Sequence, residues 1–87
     1  MTKIYIYCLF DRFDGFMGVY SSLKAVHRDA LRACNTGAGK VYFNTGTAYT
    51  TPTLVLLRNT FKGICDVEVE YRSDNQMVKI LKTRLKE

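Results

Sequence analysis

Along residues 3–10 apolar and aromatic side chains fill both alternating sets, Ile4, Ile6, Cys8 and Phe10 on one and Tyr5, Tyr7 and Leu9 on the other. A strand flanked by protein on both faces reads this way, which predicts a strand in the middle of a sheet. The stretch Asp11-Arg-Phe-Asp-Gly15 has turn chemistry, with Gly15 free to take a positive φ. Residues 16–20 then form a second strand, the hairpin partner of the first.

The period changes after Tyr20. Leu23, Val26, Ala30, Leu31 and Cys34 recur at helical spacing, Ser21 or Ser22 supplies the N-terminal cap, and Asn35-Thr-Gly37 supplies the stop. Residues 40–43 read as a short strand and residues 44–51 as a loop. Thr51-Pro52 opens a second helix, with threonine as cap and proline at the first helical position. Leu54, Val55, Leu57 and Phe61 make that helix strongly apolar, and Gly63 ends it.

Cys65, Val67, Val69 and Tyr71 alternate with Asp66, Glu68, Glu70 and Arg72, the pattern of a strand with one solvent face. Ser73 with Gln76 resembles a capping box, and Met77, Ile80, Leu81 and Leu85 follow as the apolar stripe of a last helix. A hairpin turn at residues 73–75 leading into another strand is the competing reading. The helical choice gives the order β-β-α-β-α-β-α: an α+β domain spanning residues 1–87, with a mostly antiparallel four-stranded sheet packed against helices.

Charge adds what hydrophobicity does not show. The net charge of the 87 residues is +5, with 13 Lys and Arg against 8 Asp and Glu. Residues 1–15 and 41–72 balance. The excess lies in residues 16–40, where Lys24, Arg28, Arg32 and Lys40 stand against Asp29 (+3), and in the tail, where Lys79, Lys82, Arg84 and Lys86 stand against Asp74 and Glu87 (+2). Lys24, Arg28 and Arg32 recur every four residues and so share one helix face. Lys79, Lys82 and Lys86 do the same if the tail is helical. Rows of Lys and Arg with nearby tyrosines suit phosphate contact and stacking of unpaired bases. RNA is favoured because no helix-turn-helix or zinc-finger spacing is present. Amphipathic helices also need a solvated face whatever they bind. The carboxylates Asp66, Glu68 and Glu70 would repel phosphate; they read as edge-strand protection or as a contact for a basic protein.

Catalytic chemistry finds little support. Gly37-Ala-Gly39-Lys40 lacks the remaining residues of a phosphate loop, with Cys34 and Val41 at the decisive positions, and it precedes a strand. His27 is the lone histidine; it has no acid–base partner in the sequence and reads as half-buried at the helix edge. Cys8, Cys34 and Cys65 have no metal-ligand or redox spacing and read as reduced core residues. The expectations are a non-enzyme with neither cofactor nor metal. No apolar stretch has signal-peptide form or spans a membrane, so the chain is expected in the cytoplasm.

The short length, economical loops and opening Lys3-Ile-Tyr-Ile-Tyr7 resemble the small early proteins of T-even-type bacteriophages. Within that group a basic protein of this size is similar to the RNA-binding factors that counter a toxin–antitoxin ribonuclease. The resemblance implies a counter-defence role in the host cytoplasm, in which bound RNA helps hold the toxin inactive. It assigns no individual residue. The RNA-binding candidates from charge are Lys24, Arg28, Arg32 and Lys40 in one patch and Lys79, Lys82 and Lys86 in a second. A protein-only inhibitor docking on a host enzyme through an apolar or acidic surface is the alternative. A homodimer would merge the basic patches.

Overall fold

The computed structural model describes residues 4–34, 42–44, 49–50, 52–63, 66–73 and 76–84. Its elements are β1 (Tyr5–Asp11), β2 (Phe16–Tyr20), α1 (Leu23–Cys34), β3 (Tyr42–Asn44), β4 (Tyr49–Thr50), α2 (Leu54–Phe61), β5 (Val67–Arg72) and β6 (Met77–Arg84). The strands form one antiparallel sheet in the order β2-β1-β6-β5-β3-β4. The α+β class is as the sequence implies. Strand β4 lies inside the segment expected to be a loop.

The principal correction is the tail, which is a central strand and not a helix. β6 pairs with β1 from Tyr5↔Arg84 to Asp11↔Val78, and with β5 from Val67↔Lys82 to Arg72↔Met77. The apparent capping pair joins the two arms of a hairpin: the Ser73 amide donates to the Gln76 carbonyl at 2.8 Å. Val78, Ile80 and Lys82 are buried while their neighbours are not, so the operative period is two.

The turn after β1 is built on Asp11, whose Oδ1 accepts from the Phe13 and Gly15 amides at 2.8 Å each. Asp14, rather than Gly15, takes the positive φ, at 62°. Gly15 instead lies close to the Asp11 carboxylate: a Cβ there would meet Oδ2 at 2.6 Å and would displace that side chain from its turn-closing position.

Both helices cover one face of the sheet. Val26, Ala30, Cys34, Leu57 and Phe61 meet Leu9, Val69, Tyr71, Val78 and Ile80 in a single core. Ser22 caps α1, its Oγ accepting from the Ala25 amide at 3.3 Å. Thr53 caps α2, accepting from the Leu56 amide, so the cap falls two residues after the expected Thr51. Val55, one of the residues that make this helix strongly apolar in sequence, is exposed. Gly63 takes φ 74° just past the end of α2. Of the cysteines, Cys34 is buried and donates from Sγ to the Tyr71 carbonyl at 3.2 Å; Cys8 is half-buried and free, and Cys65 lies outside the described residues.

Lys82 is a cation inside this core, only 8% exposed. Its Nζ donates to the Phe61 carbonyl at 2.7 Å and lies 4.5 Å from the centre of the Tyr5 ring. It thus satisfies a carbonyl in the last turn of α2, where the helix dipole favours positive charge. The variant Lys82→Met, which keeps the stem but removes the donor, is expected to lower unfolding free energy by about 1–3 kcal/mol in urea titration. An unchanged midpoint would show that this carbonyl needs no protein donor.

Candidate nucleic-acid interface

Because α1 turns Val26, Ala30 and Cys34 to the core, Lys24, Arg28 and Arg32 fall on its outer side at successive turns, and all three are exposed. Asp29 stands beside this row. Its Oδ2 accepts from the Tyr20 hydroxyl at 2.7 Å, and its Oδ1 from Arg28 Nε at 3.1 Å. The Tyr20 bond, then Arg28, holds the Asp29 carboxyl below its usual range, and the same bond raises the Tyr20 phenol. Tyr20 thereby fastens β2 to α1, and part of the Arg28 charge is offset. Among the described residues, no carboxylate lies within salt-bridge distance of Lys24 or Arg32.

The second basic row does not exist as a row. On strand β6, Lys79 and Lys82 point to opposite faces of the sheet. Lys79 lies on the face without helices, where Nζ binds Asp14 Oδ1 at 2.7 Å; that bond raises its pKa, and the nearby Glu68 and Glu70 add to the effect. Lys82 is committed to the core. Lys40, the Gly37–Lys40 segment and Lys86 lie outside the described residues.

Two cations that the sequence did not single out join the helical side. Arg58 on α2 and Lys62 at its C-terminal cap are both exposed. In sequence they balance Asp66, Glu68 and Glu70 together with Arg72; in the fold the sheet lies between them and Glu68 and Glu70, while Arg72 stays beside Glu70, Nε to Oε2 at 3.2 Å. Glu68 and Glu70 alternate with the inward Val67, Val69 and Tyr71, and so lie on the helix-free face. β5 is paired on both sides, by β3 and β6, which rules out the edge-strand reading of its acidic residues. Asp66 precedes the strand at φ 57° and accepts from the Thr83 hydroxyl at 2.7 Å. Among the described residues, the two helices with the Lys62 cap therefore carry Lys24, Arg28, Arg32, Arg58 and Lys62 against Asp29 alone.

A groove of about 540 Å³ opens beside this row, lined by Ser22, Lys24, Ala25, His27, Arg28, Leu31 and Leu54. His27 Nδ1 lies 2.6 Å from the buried Tyr71 hydroxyl. Burial pushes the Tyr71 phenol far above its ordinary pKa, so it stays protonated, and burial lowers the pKa of His27. Among the described residues no group of three His, Cys, Asp or Glu could hold a metal ion. No described helix is long and apolar enough to cross a membrane.

The helix-free face presents a different chemistry. Val19 opposite Cys8, and Phe16 opposite Phe10, continue an apolar surface through Leu81. Phe16 and Val19 are exposed, and the Phe10 and Phe16 rings meet edge to face at 5.9 Å. Comparison with protein-family models, curated proteins and solved structures gives no match, so the functional reading rests on this geometry.

The His27 environment has a pH consequence. Its pKa is lowered by folding, so the unfolded chain binds the proton more readily, and stability is lost as pH falls through about 6.5 towards the folded value. Thermal midpoints measured between about pH 7.5 and about 5.5 should fall with acidity, and fall less in His27→Gln. An identical slope in the variant would contradict the burial assigned to this ring.

Proposed function

We propose that this chain is a non-catalytic RNA-binding protein whose contact surface is the helical layer. The observation that supports it is the separation of charge: the positive excess lies on α1 and α2, while Glu68 and Glu70 face away beyond the sheet. Lys24, Arg28 and Arg32 would meet successive phosphates, with Arg58 and Lys62 extending the field along α2. Such side chains position a nucleic acid without reading its sequence. The rise between Lys24 and Arg32, two helical turns, is about 12 Å, enough for more than one phosphate of an extended strand. The resemblance to phage counter-defence proteins extends the proposal to a role: RNA held here would help keep a host defence factor, such as a toxin–antitoxin ribonuclease, inactive in the host cytoplasm.

A second reading has its own support. The exposed apolar residues Phe16 and Val19 share the helix-free face with Glu68 and Glu70, the composition of a surface that docks directly on a protein. In that reading the chain is a protein-only inhibitor and the helical charges are solvation.

Reversing Lys24, Arg28 and Arg32 together to Glu is expected to abolish RNA binding in a gel-shift assay while leaving the circular dichroism spectrum and thermal midpoint near wild type. Reversing Glu68 and Glu70 to Lys should leave RNA affinity equal or slightly higher. RNA affinity unchanged in the folded triple variant would remove the helical layer as the site, and loss of partner capture only in the Glu68/Glu70 variant, with nuclease-treated protein, would favour direct docking.

A further inference from the structure

A phosphate contact needs charge alone, and the groove beside α1 offers more than charge. Lys24 and Arg28 stand at it as exposed cations, but Ala25, Leu31 and Leu54 give it apolar walls. Among them lies the flat imidazole of His27, fixed by the 2.6 Å contact of its Nδ1 with the Tyr71 hydroxyl. The volume, about 540 Å³, is that of a site for a small organic molecule and exceeds what a phosphate would fill. A nucleotide combines the matching parts: a flat π-face and an anion one sugar away.

We propose that this groove holds one unstacked base of a single-stranded RNA, laid against His27 between Leu31 and Leu54, with the adjoining phosphate on Lys24 and Arg28. The inference rests on the helical layer being the RNA contact. It adds a preference that charge cannot supply, because a base within a duplex is occupied by its neighbours and cannot enter. Histidine is among the side chains on which splayed bases stack, and such stacking tolerates all four bases. Arg28, held at Nε by Asp29, keeps its terminal nitrogens available for the phosphate.

The test compares two ligands of equal charge on the intact chain. Fluorescence anisotropy at one ionic strength would measure binding of an oligouridylate of about ten nucleotides and of the abasic ribose-phosphate oligomer of the same length. Removing the bases is expected to weaken binding about tenfold, near the lower end of what one stacked base contributes. Ala25→Leu, which fills the groove from its helical wall and leaves every cation in place, should bring the two affinities together. Equal affinity of the wild-type chain for both oligomers would overturn the base site while leaving phosphate binding intact. A base-dependent difference that survives Ala25→Leu would place the base elsewhere and equally overturn it. Failure of both oligomers to bind would remove the RNA reading itself, and this site with it.

Discussion

The fold depends on a constraint carried by β6: one strand must pair along both edges while presenting opposite chemistries on its two faces. It lies between β1 and β5, joining the first hairpin to the last. Its inward residues Val78 and Ile80 complete the core under the helices, and inward Lys82 binds the Phe61 carbonyl at the end of α2. A strand so placed leaves both helices on a single face. No described helix covers the other face, and Lys79 and Leu81 are among the residues that line it.

This one-sided arrangement separates opposite charges that lie close together along the chain. Arg58 and Lys62 are close in sequence to Glu68 and Glu70, and at the level of the chain they cancel. The reversal from α2 into β5 puts the two groups on opposite sides of the sheet. Tyr20 and Arg28 engage Asp29, the sole carboxylate on the described helices, which fixes α1 against β2 and limits how far that acid offsets the row. The groove at His27 lies between α1 and the start of α2, where the imidazole packs edge-on against Tyr71 and the space between Lys24 and Leu54 stays open.

Much of the fold could be read from the sequence where one period dominated. Residues 4–10, residues 66–72 and the stripe Val26-Ala30-Cys34 each satisfy a single geometry, and the basic face of α1 follows from the last of these without further information. The tail satisfies two. Met77, Ile80 and Leu81 fit a helix, whereas Val78 and Ile80 fit a strand only if Lys82 is accepted as an inward residue. A lysine in a core position breaks the alternating pattern, and the reason it is tolerated, a carbonyl 21 residues earlier in sequence, is tertiary. The second basic row depends on the same ambiguity, because Lys79 and Lys82 share a face in a helix and are separated in a strand. The contribution of α2 was hidden differently: summing charge over residues 41–72 averaged across two sides of a sheet. The groove could not be seen at all, since His27, Leu31 and Leu54 are brought together only when the helices pack.

The most direct test of the central claim, that nucleic acid is met by the helical layer, is a backbone amide NMR titration of the intact protein with single-stranded RNA at low ionic strength. The account predicts shifts concentrated in residues 23–34 and 54–62, with residues 16–19 and 67–70 essentially still. Shifts concentrated instead at Phe16, Val19, Glu68 and Glu70, or none at saturating RNA, would contradict it.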